Sequence, residues 1–204
     1  MNKVREQVEV NSKNKFALPH VLMASGLVVC ILSGCANLLF SPVPASVPIR
    51  LDQAGVVADF EFKVNKSFIY WYSMEFFFPK DNQLERARVR NLLGEPNLDK
   101  MGQPLKPGVP TPIHLSIFAV CKTGKQVEVY SQDVNPLLTS WGGDSFGKNI
   151  GFSVLTPGMY RARIVNKRAS PEFSSIPITF NMGMSAKTSF DPSTVLKSDD
   201  PCEG

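Results

Sequence analysis

The chain has 204 residues, with 22 lysines and arginines against 18 aspartates and glutamates, 4 cysteines and 16 prolines. Hydrophobic content of 43% beside 20% charged residues belongs to a globular chain. It excludes wholesale disorder, collagen-like sequence and a polytopic membrane protein, and a net charge of +4 is too small to point to nucleic acid.

In chain order, residues 1–15 are polar and carry Lys3, Arg5, Lys13 and Lys15 against Glu6 and Glu9. The apolar run Phe16–Leu32 comes next, interrupted by Pro19 and His20. It is shorter than the roughly 20 apolar residues a membrane-spanning helix needs. Ser33, Gly34 and Cys35 close it. A basic head, a short apolar stretch and small residues at its end describe a secretory signal.

The residues Leu32-Ser33-Gly34-Cys35 resemble the lipobox of bacterial lipoproteins. That resemblance implies a signal peptide over 1–34, cleavage before Cys35 and acylation of its thiol. Ala36, where an Asp would retain such a protein in the inner membrane, implies the periplasmic face of the outer membrane. The alternative is an ordinary membrane anchor in which Cys35 is incidental. Cleavage would leave 170 of the 204 residues and remove four basic and two acidic side chains, lowering the charge to +2.

Residues 35–55 hold Pro42, Pro44 and Pro48 among small residues. They read as an extended tether below a single domain over 56–204, the alternative for 47–55 being an irregular first strand lying on that domain. Val56, Ala58, Phe60, Phe62 and Val64 alternate with polar partners. Phe68 through Phe78 then places Tyr70, Tyr72, Met74 and Phe76 on one face. Only Asn65-Lys66-Ser67 separates the two runs, which predicts a hairpin. Asp81 through Leu93 is the one helical stretch, with Leu84, Val89, Leu92 and Leu93 as an apolar stripe and Gly94 as its stop.

Residues 95–112 read as a Pro- and Gly-rich loop. Ile113, Leu115, Ile117, Ala119 and Cys121 alternate, turn at Lys122–Lys125 and continue through Val127 and Val129. Residues 133–148 read as a long connection. Ile150, Phe152 and Val154 make a short strand, Pro157-Gly158 a turn, and Tyr160, Ala162 and Ile164 point inward with Arg161 and Arg163 outward. Ile176 through Met182 is a last strand that Pro177 suggests lies at an edge. About seven strands and one short helix predict a mainly β protein, an antiparallel β-sandwich. The segment Leu155-Thr-Pro-Gly-Met-Tyr160 resembles the Pro-Gly-x-Tyr approach to a late strand in immunoglobulin- and fibronectin-like sandwiches.

With Cys30 discarded and Cys35 acylated, Cys121 and Cys202 remain as a candidate disulfide in an oxidising compartment, or as two free thiols. Without a CxxC or a nearby His, no metal site and no cofactor is expected. Gly143-Asp-Ser145-Phe-Gly147 has the form of a hydrolase nucleophile elbow, yet no buried strand precedes it and no helix comes after it. It reads as a surface loop. His114 alternates with inward residues and is expected to be solvated.

Residues for contact with a protein partner are Trp71, Glu75, Arg86, Arg88, Arg90 and Trp141. Against that stand a salt-paired exposed Glu75, a merely solvated arginine face that also includes Arg161 and Arg163, and aromatics packed under the helix. The expectation is a non-enzymatic, membrane-anchored periplasmic lipoprotein that binds a protein, an immunity protein neutralising a delivered toxic effector being its most concrete form. Its partners would be the bilayer, through Cys35, and that protein. The alternatives are a carrier or sensor of a small molecule or lipid, and a structural subunit of an envelope or secretion complex.

Overall fold

A computed structural model describes residues 41–42, 45–95, 97–184 and 201–202. The expected signal peptide over 1–34 and the expected acylation site Cys35 lie outside them. Ten strands form two sheets. The first orders β1 (Ser41–Pro42), β3 (Gly55–Val64), β9 (Gly158–Asn166), β5 (Ile113–Val120) and β6 (Gln126–Val134). The second orders β2 (Ala45–Ile49), β10 (Ile178–Met184), β4 (Phe68–Phe77), β8 (Ser145–Leu155) and β7 (Leu138–Trp141). All pairings are antiparallel except the two-residue contact of β1 with β3.

The period-2 pattern buries one face of each sheet. Phe62, Tyr70, Tyr72, Met74, Phe76, Ile113, Leu115, Ile117, Ala162, Ile164 and Phe180 are all at most 2% exposed. Their rings fill the space between the layers: Phe62 stacks on Tyr160, Tyr72 on Phe180, and Phe60 meets Phe180 edge-on at 6.2 Å between centroids. At about 25 cal/mol per Å² this apolar burial is the main stabilising contribution.

Several expectations are corrected. β3 and β4 are not a hairpin, because they lie in different sheets. Both strands carry one strongly apolar face, and the three-residue link 65–67 spans roughly 10 Å, the separation of stacked sheets; the chain therefore crosses layers and points both faces at one core. The tether ends sooner than expected, because Ala45–Ile49 pairs with β10 and Leu51 is buried. Asn166 Nδ2 donates to the carbonyls of Leu51 and Gln53 at 2.9 and 2.7 Å and fixes that segment on the domain.

The connection 133–148 contains β7 and the start of β8. The last strand is central rather than at an edge: Pro177 precedes β10, where its missing N–H costs no ladder bond, and its carbonyl accepts from Phe77 N. The expected pairing of Ile113–Cys121, through the turn 122–125, with the strand of Val127 and Val129 is present as β5 and β6, and β6 runs on to Val134.

The helix α1 spans Gln83–Leu93. Asn82 is its N-cap and accepts from Glu85 N at 3.0 Å. Gly94 ends it at φ 82°, with its N–H on the Arg90 carbonyl. Val89 and Leu93 are buried, whereas Leu84, expected in the apolar stripe, is exposed.

The sandwich has two ends. The proximal end holds the start of β2, the finish of β10 and the β3–β4, β5–β6 and β8–β9 turns. The distal end holds α1, the 95–112 loop and the β6–β7 and β7–β8 connections.

Candidate functional site

At the distal end α1 is clipped to the β7–β8 turn. The Arg86 guanidinium lies over the rings of Phe78 and Phe146, 5.4 and 5.3 Å from their centroids. Its Nη1 donates to the carbonyls of Gly142 and Gly143 at 3.3 and 3.2 Å. Arg88 pairs with Glu85 at 2.8 Å and donates to Ser175 Oγ. Two of the three helix arginines are therefore engaged in structure, while Arg90 projects from the helix as an exposed cation. Arg161 and Arg163 lie on the outer face of the first sheet, where both approach Asp59. They make no patch with the helix.

The loop after α1 doubles back on it. Glu95 N donates to the Lys106 carbonyl and Val109 N to that of Leu92. Asp99 Oδ1 accepts from Met101 N and Gln103 N and closes the tip. Gly94 and Gly108 touch backbone to backbone, both at positive φ, leaving no room for a Cβ. This bracing holds Leu98, Met101 and Leu105 out in solvent, Met101 at 85% exposure; Leu84 of α1 is 84% exposed and Trp141, closing β7, is 50% exposed. Sequence reasoning found Trp141 and Arg90 and missed the four aliphatic side chains. The available signal was Asp99-Lys-Met-Gly102, an Asx-type turn that must lift Met101 off the domain.

Trp71 sits far from this cluster, on the outer face of the second sheet near the proximal end. Its indole lies on Gly183, donates from Nε1 to the Met184 carbonyl at 3.1 Å, and faces Phe152 across the strands. Glu75 is half-buried on that same face between Gly147 and Thr179, with no ion pair among the described residues. The salt-paired alternative for Glu75 is thus not found.

Ser145 opens β8 after a tight turn closed by Gly142 N on the Ser145 carbonyl at 2.7 Å. That is a strand–turn–strand, not a strand–turn–helix elbow. His114 is half-exposed and joined on both sides: Nδ1 to Asp133 Oδ1 and Nε2 to Ser116 Oγ, each at 2.9 Å. Lys167 holds the other Asp133 oxygen at 2.9 Å. The hydrogen bond from Lys167, then that from His114, keeps the Asp133 carboxyl below the usual carboxylate range. The connectivity is that of a Ser-His-Asp chain, but Ser116 is only 4% exposed on a flat sheet face. The network ties β5 to β6 and to the residue just beyond β9.

Lys148 points inward from β8 and is 2% exposed. Its Nζ reaches Thr111 Oγ1 at 3.2 Å and lies 6.0 Å above the Phe76 ring. Burial pushes its pKa down to about 8. Its inward position comes from β8 alternation, which Phe146 already displays. Cys121 and Cys202 are bonded, S–S 2.05 Å and Cα–Cα 5.4 Å, at the proximal end. Among the described residues no three His, Cys, Asp or Glu side chains gather as metal ligands, and no helix is long and apolar enough to cross a membrane.

Residues 46–184 match the family described as a domain of unknown function, DUF5625. The chain belongs to that family. The matched residues run from the second position of β2 to the end of β10, so the DUF5625 domain takes in every strand of the two sheets except β1. No curated protein matches the chain. Among solved structures, a crystal structure of a protein from Sulfurospirillum deleyianum superposes with a TM-score of 0.62 at 22% identity, covering 72% of this chain and 100% of that one. At that identity the likeness shows a shared fold and nothing more.

Proposed function

We propose that this DUF5625 chain is a lipid-anchored lipoprotein of the outer membrane, facing the periplasm, that binds a protein partner through its distal end without catalysing a reaction. One observation carries the reading: Leu98, Met101 and Leu105 are exposed on a loop braced by paired glycines at the distal end, where Leu84 of α1 and Trp141 of β7 are exposed as well. Single exposed apolar residues are ordinary on a surface, but a cluster on a stiffened loop is the composition of a protein-binding patch. Arg90 beside it supplies an exposed cation suited to an acidic partner. An immunity protein that captures a delivered effector is the concrete form.

The test is affinity capture of the full chain, extracted from membranes in detergent, with wild type beside Met101→Asp and Trp141→Ala. A stoichiometric partner retained by wild type and lost by both variants, whose circular dichroism is unchanged, supports the reading. A partner retained equally by all three removes the distal end from it. The immunity form further requires that expression protect cells against that partner and that the variants abolish protection.

A further inference from the structure

Acylation of Cys35, as proposed for this chain, has a geometric consequence, and the orientation inferred from it rests on that reading. Five residues, 36–40, separate Cys35 from Ser41, which already pairs with Phe62 of β3. Six Cα–Cα steps span at most about 20 Å. Phe62 lies two residues, roughly 7 Å, from the proximal end of its strand. The domain cannot stand clear of the bilayer on so short a leash. That reach admits either the proximal end or the flank beside β3 as the surface facing lipid.

The exposed side chains choose between them. On the outer face of the second sheet near the proximal end, Phe152 and Val154 are 67% and 46% exposed, adjacent to Trp71 and Ile69 across the strand pair. The turns 65–67, 121–125 and 156–157 at this end contain Lys66, Lys122 and Lys125 and no acidic residue, and Lys63 stands beside them near the end of β3. All four lysines are exposed. Exposed apolar side chains at an end whose turns carry lysines suit the boundary between acyl chains and anionic headgroups. The disulfide brings Cys202 to the same end, with Asp199, Asp200 and Glu203 next to it in sequence. These oppose part of the lysine charge, so the apolar contacts carry more of the seating than the charge does.

We infer that the proximal end of the domain, through Phe152 and Val154 and the lysines Lys63, Lys66, Lys122 and Lys125, rests on the membrane surface and so fixes the domain upright, with the distal end directed away from lipid. The occupant of this surface is the phospholipid bilayer itself.

The chain has two tryptophans, one near each end. Full-length acylated protein is reconstituted into vesicles of phosphatidylethanolamine and phosphatidylglycerol containing brominated phospholipid, as Trp141→Phe, which leaves Trp71, and as Trp71→Phe, which leaves Trp141. Bromine quenching several-fold greater for Trp71 than for Trp141 is expected, and Phe152→Asp with Val154→Asp should bring Trp71 down to the Trp141 level. Equal quenching of the two, or stronger quenching of Trp141, overturns the inference. The mass of the extracted protein is read first. Cys35 without acyl chains overturns the lipoprotein reading and this inference with it, whereas acylated protein with the wrong quenching order overturns the orientation alone.

Discussion

Replacing Lys148 by Met should make the protein more stable, not less. The ammonium is buried with one hydroxyl acceptor, and its pKa falls from 10.5 to about 8. Each unit corresponds to 1.36 kcal/mol, so holding the charged form inside costs about 3 kcal/mol at neutral pH. Met keeps the length and apolar stem but leaves Thr111 Oγ1 without its donor, a loss of about 1 kcal/mol. The net expectation is a gain of about 2 kcal/mol at pH 7, read by urea denaturation.

The lowered value sets the sign of the pH dependence. Between pH 8 and 10.5 the unfolded chain holds a proton that the folded chain has released, so the wild type becomes more stable as pH rises through that window. By pH 9.5 the advantage of Lys148→Met should shrink by about 2 kcal/mol. Tyr72, whose hydroxyl burial pushes far up, titrates equally in both proteins and cancels in the difference. A variant no more stable than wild type at pH 7, or a difference that does not move with pH, would refute the reasoning.

Three other outcomes are expected of the same structure. Replacing Cys121 and Cys202 by Ser opens a link between residues 81 apart in sequence and should lower unfolding stability by about 4 kcal/mol, matched by reductant acting on the wild type; a change under about 1 kcal/mol would show that the tail constrains the chain little. Gly94→Ala sets a Cβ against the Lys106 carbonyl and 2.7 Å from Gly108 N at a positive φ, so a loss beyond about 1–3 kcal/mol is expected together with rearrangement of the 95–108 loop in amide spectra; an unperturbed loop would contradict the bracing described for it. Asp133 owes its lowered carboxyl pKa first to Lys167, and the stabilisation that goes with it is present above the ordinary carboxylate range and lost as pH falls through the folded value. Lys167→Met should therefore raise the Asp133 midpoint in a carboxyl carbon titration by NMR, and an unmoved midpoint would count against that pairing.

The two-layer β architecture was legible because strict alternation survives in β3, β4, β5, β9 and β10, where one face meets a packed core. The disulfide partners were legible because the lipobox resemblance, which implies loss of Cys30 and acylation of Cys35, leaves Cys121 and Cys202 to pair. What the pattern could not carry was which sheet each strand joins: a three-residue link such as 65–67 closes a hairpin or crosses between layers equally well, and only long-range pairing decides. Thus β3 found β9, about a hundred residues later, instead of β4. Strand β7 escaped notice because the Thr-Ser of 139–140 dilutes an apolar period over four residues, and β2 was foreshadowed only as the alternative of a first strand within 47–55 because Pro48 does the same there. Among the site residues, Arg86 looked available for a partner but is spent on Phe78 and Phe146, contacts separated from it in sequence by 8 and 60 positions. Trp141 was legible because its turn is short and exposed. Leu84 was misplaced because an apolar residue in the first helical turn satisfies the stripe whether or not anything covers it.

The last strand, β10, lies between two of the earliest, β2 and β4, and β9 likewise joins β3 to β5. A chain made from its N-terminus can form the β5–β6 ribbon and the β4–β8–β7 group, yet both sheets stay split until residue 166 has emerged, and the second until residue 184. Such non-local pairing belongs to slow-folding topologies. A chain of this order stays open through most of its synthesis and closes both layers only when nearly all of its residues are available to pair.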